Sequence, residues 1–467
     1  IRDTIMKYMK NLMSFAVTIL MVLFGTIMTG CSHDDDAKPR EHVHLNLRVT
    51  AHKGGGDDVD VKSRALAPSE DGKSIVSTWK KGDVVLVYYN PYDTDYYSCG
   101  QVTADSDGKS TTLSGEIDFW TFYSDPHFFL LVHPGIEPVD YTGQNGVLFS
   151  KDNADKSIES NYDFSNAVIK LNVEKGQGIN DVEGHFLNQQ AIVKFSLKDE
   201  DDKPINATRL IIDADEMLLK RTIPGTDEHE TGNQLIVDTP TPMSDIHVVL
   251  ADFKGDHMAV TAITENSAYT YYGENYKYEK GKYYHTPLTM IENPSAKVTE
   301  EDKGKLLCSD GTVCTKDEAA AASKTPIAVV FYVGKDGGES RMQYRHGLAM
   351  SLTDCTVNNP TFDTAPTAAT SHTPAAPKCS VGWILPTEDQ WNKFFDFAGR
   401  SFNGCNNVMT NAGGTPFESG YFYWTSTEQD EYQGKGIIFY SDSDASTTIV
   451  SKTSTGSTYK VRPIIVF

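Results

Sequence analysis

The residues whose types could do chemistry are scattered along this chain of 467 residues, and few share a useful spacing. Asp442 and Asp444, with Glu428, Asp430 and Glu431 nearby, offer oxygen atoms of the kind calcium takes. The same residues also read as a solvated acidic loop. Gly72-Lys73-Ser74 and Gly108-Lys109-Ser110 lack the upstream glycine of a phosphate-binding loop, so turns explain them. Neither a G-x-S-x-G elbow nor an H-E-x-x-H helix occurs, and His346 beside Gly347 reads as buried structure, not as a general base. The sequence holds seven cysteines but no C-x-x-C pair, which speaks against zinc and against a redox dithiol. Cys308, Cys314, Cys355, Cys379 and Cys405 crowd one region, and an odd number there leaves a thiol unpaired. These readings predict no enzyme and no cofactor.

The elements around Cys31 are more telling. Arg2, Lys7 and Lys10 precede an apolar run from Leu12 through Met28, the basic-then-apolar order of an export signal. Length alone would also allow an uncleaved membrane helix. The chain opens on Ile1, which points to Met6 or Met9 as the start. Met28-Thr29-Gly30-Cys31 resembles the bacterial lipobox, and Ser32-His33-Asp34-Asp35-Asp36 resembles the acidic tag of surface lipoproteins. The resemblance implies a signal peptide over 1–30, a palmitate-type lipid on Cys31, and a surface-exposed location on the cell outer membrane.

The remaining length suggests two to four domains. A net charge of −22 argues against nucleic acid, which requires clustered Lys and Arg. Val43, Leu45, Leu47 and Val49 alternate with polar residues as in a half-buried strand. Lys53 to Lys62 is too polar to pack and ends at Ser63-Arg64-Ala65. Val84 to Tyr89 then reads as a core strand, followed by short strands at 128–132, 167–173, 191–197, 209–212, 246–250 and 258–263, the rhythm of all-β sandwiches. A short helical stretch is expected near Asp215 to Leu219. Residues 291–305 mark a polar boundary. Beyond it come a hairpin at Leu306 to Cys314 with Asp310-Gly311 at its turn, a strand from Ile327 to Val333, and a Thr, Ala and Pro-rich tract from Thr356 to Pro377 that should be a long loop.

Arg64-Ala65, Trp79, Gly82-Asp83, the 84–89 strand, Tyr162-Asp163-Phe164 and Gly281-Lys282-Tyr283-Tyr284 together resemble fimbrillin, the pilin family of type V pili. The resemblance implies two tandem transthyretin-like β-sandwiches, 65–165 and 166–291, behind a lipid-anchored pro-segment, 31–64. It also implies proteolytic processing between Arg64 and Ala65, removal of the first strand (Val43, Leu45, Leu47, Val49), and other pilin subunits as partners. An exposed strand edge is a template for another strand. The expectation is of a strand paired along one edge only; Val43 to Val49 outside any sheet, or paired on both sides in its middle, would leave no vacancy and the pilin reading would fall. Asp363-Thr364-Ala365 resembles an O-glycosylation sequon of the bacteria that make such pili, with Thr364 as acceptor.

From 292 to 467, His346-Gly347-Leu348-Ala349, Gly382-Trp383-Ile384-Leu385-Pro386-Thr387, Tyr423-Trp424-Thr425 and Val461-Arg462-Pro463 resemble bacterial modules with an α+β C-type-lectin-like fold. Leu385-Pro386-Thr387 reads as a helix start, with Trp391, Phe394, Phe395 and Phe397 supplying the buried face. The glutamate-proline-asparagine signature of calcium lectins is absent, and such a fold does not by itself imply sugar binding.

These readings converge on a mostly β protein of the cell surface and fimbrium. It is expected at the pilus tip or as an accessory pilin, because the chain ends inside a motif of its own last domain and offers no donor strand. The last module is expected to touch a carbohydrate or protein receptor. A surface glycan-binding lipoprotein that never polymerises is the alternative.

Overall fold

The computed structural model describes residues 41–467 apart from 54–65, 71, 90–95, 122–125, 136–138, 150–156, 174–178, 222–228, 335–345, 358, 441–445 and 455–457. The protein is mostly β. Its strands group into three regions along the chain.

In the first region, strands His42–Lys53 (β1), Val84–Tyr89, Tyr97–Ala104, Ser110–Trp120, His127–His133, Ser165–Leu171 and Ile179–Asn188 are hydrogen-bonded in a closed ring. β1 keeps the alternation seen in its sequence, with Leu47, Val49 and Ala51 fully buried inside the ring and Arg48 and Thr50 outside. Val85, Val87, Phe129, Leu131, Ile169 and Phe186 complete the same core. The expected division at residue 165 is corrected here. Residues 165–188 pair with β1 and with the 127–133 strand, so the first sheet runs through Asn188.

β1 runs antiparallel to the 110–120 strand from His42 to His52. It also runs parallel to the 179–188 strand from Leu47 to Lys53. The expectation of one-edge pairing therefore holds only for its first half. The second half is hydrogen-bonded on both sides because the ring needs β1 to close. Withdrawing it would open a slot with two unpaired ladders, a larger vacancy than a bare edge and a costlier one to create.

The second region sets a three-stranded sheet (Gln190–Lys198, Asp245–Ala251, Tyr283–Thr289) over a larger one that includes Ala207–Arg221, His229–Met243, Phe253–Ile263 and Ala268–Tyr278. Val193, Phe195, Ile212, Val237, Val248 and Val260 fill the space between them. The helix expected near Asp215 is absent: those residues lie within the long Ala207–Arg221 strand, whose register shifts between Asp213 and Met217. A bulge disturbs the two-residue period there and gives the sequence a false helical look. On the outer face of the three-stranded sheet, Leu66, Ile75, Tyr141, Tyr162 and Phe164 pack against Ile192, Val249 and Ala251.

The third region joins a six-stranded sheet to a four-stranded one and adds helices Glu388–Ala398 and Phe402–Asn411. Thr387 caps the first helix, sharing a reciprocal pair of hydrogen bonds with Gln390, and Gly399 ends it in the left-handed conformation. Trp391, Phe394 and Phe395 form its buried face as expected, with Phe397 half-buried. The Leu306 to Cys314 hairpin is present, and Gly311 at its turn has φ of 86°.

The tract 356–377 is more ordered than a loop. It holds a short helix, Ala365–Thr370, whose Ala365, Ala368 and Ala369 pack beside Trp424 and Leu385. Alanine has high helix propensity, which favours a helix here despite the prolines around it. The flanking carbonyls of Pro360 and Pro374 accept hydrogen bonds from the indoles of Trp424 (2.8 Å) and Trp383 (2.7 Å).

Candidate functional site

Inner-facing positions of β1 recur every second residue, so the position after Ala51 on that face is Lys53. Read from composition, Lys53 opens the flexible polar stretch. The structure corrects this: Lys53 ends the strand, and its side chain is fully buried. Its Nζ lies 2.7 Å from Oδ2 of Asp163, 3.8 Å from Oδ2 of Asp83, and 4.3 Å from the centre of the Trp79 ring. His133 Nε2 sits 3.7 Å from the same Asp163 oxygen, and its ring meets Trp79 edge to face at 5.2 Å. Phe186, directly across the parallel ladder from Lys53, closes the other side of Trp79 at 4.8 Å.

Local chain geometry explains each position. Gly82 takes φ of 93°, which turns the chain so that Asp83 Oδ2 accepts from the Lys80 backbone N–H at 2.8 Å and still faces Lys53. Trp79 is pinned by paired backbone hydrogen bonds with Gly108. Asp163 stands between Tyr162 and Phe164, both buried against the second region, with the Tyr162 hydroxyl donating to the Thr142 carbonyl at 2.8 Å. Burial pushes the Asp163 carboxyl up, but the Lys53 ammonium and the His133 ring outweigh it and hold the group below the ordinary aspartate value of 3.8. Its Oδ1 is buried without a hydrogen-bond partner. A buried ammonium between two carboxylates and over an indole face is a cation site already filled by the chain's own first strand.

Three motifs on which the family resemblance rests therefore meet at one place: Trp79, Gly82-Asp83 and Tyr162-Asp163-Phe164. Sequence reading missed Lys53 and His133. The signal for Lys53 was the unbroken parity from Val43 through Ala51. The Gly281-Lys282-Tyr283-Tyr284 motif lies elsewhere: Gly281 and Lys282 hydrogen-bond to Gln190, Ile192 and Ile75, joining the hairpin of Leu66–Pro68 and Ile75–Ser77 to the second region.

Val43, Leu45, Leu47 and Val49 all face inward on β1, the first pair half-buried and the second fully. Cys31, Arg64 and Ala65 lie outside the described residues, as do Asp442 and Asp444. Among the described residues no group of three or more His, Cys, Asp or Glu side chains could hold a metal. Glu428 pairs with Lys452 at 3.1 Å, and Asp430 accepts backbone hydrogen bonds from Tyr432 and Gln433. No described helix is long and apolar enough to cross a membrane. Thr364 is exposed, with its hydroxyl near that of Thr361 at 3.1 Å. Cys99, Cys308, Cys314, Cys355 and Cys405 are free thiols; the sulfurs of Cys308 and Cys314 stand 3.7 Å apart, and burial pushes Cys308 up to about 12.

Comparison with known proteins gives no family match and no match among curated proteins. Solved structures do show likeness. A fimbrial protein from Bacteroides ovatus is 14% identical, with 91% of this chain and 99% of that one aligned at a TM-score of 0.26. A fimbrial assembly protein from Parabacteroides distasonis is 10% identical over 53% of this chain and 92% of that one, at a TM-score of 0.32. At such scores these are likenesses and nothing more.

The C-terminal motifs are structural. Trp383, Trp391 and Trp424 are all buried. Arg462 is fully buried, 2.5 Å from Asp354 Oδ1, and donates to the carbonyls of Ser351 (3.3 Å) and Thr415 (3.1 Å) while stacking over Phe417. The Val-Arg-Pro motif thus anchors the region's own core.

Proposed function

We propose that this chain is a pilin-like protein of the cell surface that assembles by strand exchange. In this reading Cys31 carries a lipid that delivers the precursor to the outer membrane, and a cut between Arg64 and Ala65 releases β1. A strand of another subunit then takes its place. The observation that carries the reading is the place of β1: it supplies core residues to the first region, yet its link to the strands around it runs through residues 54–65, where the expected cut falls. An incoming strand that repeats its pattern would restore both ladders and the buried face.

Two-sided pairing bears on the mechanism. A strand held on both sides does not leave spontaneously, so the incoming strand must displace it while ladders remain partly formed. The strand Ile464–Val466 is hydrogen-bonded on both sides within the third region and so belongs to that region's own sheet. A tip or accessory position would suit the third region as an adhesive module toward a carbohydrate or protein receptor. The exposed Thr364 would be its glycan acceptor.

The same two-sided pairing favours the second reading, a surface glycan-binding lipoprotein that keeps β1 and never polymerises. Immunogold labelling of whole cells separates them. Gold confined to filaments or their ends supports the pilin; a uniform coat on cells bearing unlabelled filaments contradicts it.

A further inference from the structure

The chemistry at the end of β1 says what kind of strand the slot would accept. Asp163 is held in place by Tyr162 and Phe164, which do not belong to β1 and stay when it goes. Without Lys53, the described polar group left near its Oδ2 is His133 at 3.7 Å, and Oδ1 is already unpartnered. Asp83 and the Trp79 face also remain. Two carboxylates and an indole face at the closed end of an apolar slot make a cation subsite, and leaving a buried carboxylate without its cation is costly.

Register supplies a second reason. Along β1 the inward side chains are Val43, Leu45, Leu47, Val49 and Ala51, then Lys53. A slip of two residues keeps an apolar face inward, so the apolar residues alone leave the register degenerate. A single inward charge removes that degeneracy, because a slipped strand would bury its cation among apolar side chains of the ring such as Leu113 and Phe186 or leave Asp163 facing a methyl group.

Building on the strand-exchange reading, we propose that this subsite selects the partner: the slot takes a β-strand of another subunit whose inward residues are apolar and whose residue in the Lys53 register is lysine or arginine. Asp163 is the specificity-determining residue, with Asp83 and Trp79 lining the cation site. A strand bearing Glu or Asp there is rejected by like charge.

The test uses the full chain carrying a site-specific protease sequence within residues 54–65, cut after folding so that β1 stays seated but unlinked. A dye-labelled peptide with the sequence of His42–Lys53 is added in excess, and its entry is followed by fluorescence anisotropy. Peptides with Lys53 or Lys53→Arg are expected to enter, Lys53→Met about 100-fold more weakly, and Lys53→Glu not measurably. On an Asp163→Asn chain the lysine and methionine peptides should differ by less than about threefold. The changes lie first in the peptide, so the folded chain is the same in each comparison. Equal entry of the lysine and methionine peptides overturns charge selection and leaves strand exchange standing. Failure of every peptide, the native sequence included, overturns strand exchange and this proposal with it.

Discussion

Two buried cations organise the first and third regions, and they are held differently. Arg462 is bound to Asp354, Ser351 and Thr415, all within its own region, and Lys460 adds a second cation to Asp354 at 3.3 Å. Lys53 also has carboxylate and aromatic neighbours, but it offers a single ammonium from the end of one strand; Asp163 Oδ1 and Arg462 Nη2 are both buried without a hydrogen-bond partner. A guanidinium spread over several fixed acceptors is a permanent centre. An ammonium at the end of one strand gives the same local stability to whichever strand carries it. Similar ionic chemistry thus serves cohesion in one region and, in the reading proposed here, selection in the other.

The largest effect should come from the permanent centre. Arg462→Met leaves two carbonyls without their donor and Asp354 with Lys460 alone, and a loss of about 3 kcal/mol is expected for the third region. Lysine should not restore it, because one ammonium cannot span the same acceptors. Denaturant unfolding followed by tryptophan emission reads this region through Trp383, Trp391 and Trp424, and the first through Trp79 and Trp120. If Arg462→Met moved both transitions equally, the two centres would not be independent.

Asp163→Asn comes next, with a loss of roughly 3 kcal/mol in the first region, since Lys53 stays buried with only Asp83 as counter-ion. The pair Lys53→Met with Asp163→Leu should recover most of that loss, because two apolar side chains need no partners. A double variant no better than the sum of the singles would show that burial, and not pairing, sets the cost.

A smaller effect follows from pH. The Asp163 carboxyl is held below its ordinary value, so its contribution is fully present above 3.8 and is lost as the pH falls through the lowered value. Glu418 in the third region is likewise held low by its hydrogen bond from Lys460, but it is more exposed and should matter less. Melting followed from pH 7 toward pH 3 should therefore show the first region losing stability more steeply; a first region that gained stability with acid would contradict the pairing. Smallest of all, Thr387→Ala should cost the third region about 1 kcal/mol through its lost helix cap, with no change in the first.

What the sequence disclosed and concealed follows from how each feature is encoded. The inner face of β1, the cap at Thr387 and the aromatic face behind it were legible because strand and helix periods write them directly. The Lys53 site was not, because Lys53 and Asp163 are 110 positions apart and meet only when the ring closes. Composition also placed Lys53 in the polar stretch, although strand parity assigned it to the core. The partners of β1 at 110–120 and 179–188 escaped notice for a related reason: they carry glycines and polar residues that blur alternation, and that left one-edge pairing as the simplest expectation. The alanines of 365–370 were hidden by the prolines and threonines around them.

The central claim is that β1 is temporary. Mass spectrometry with N-terminal sequencing of protein sheared from intact cells tests it most directly. Chains beginning at Ala65, recovered in complex with other pilins and without the His42–Lys53 segment, are the predicted result. Sheared protein that still begins at Cys31 and carries β1 would contradict it.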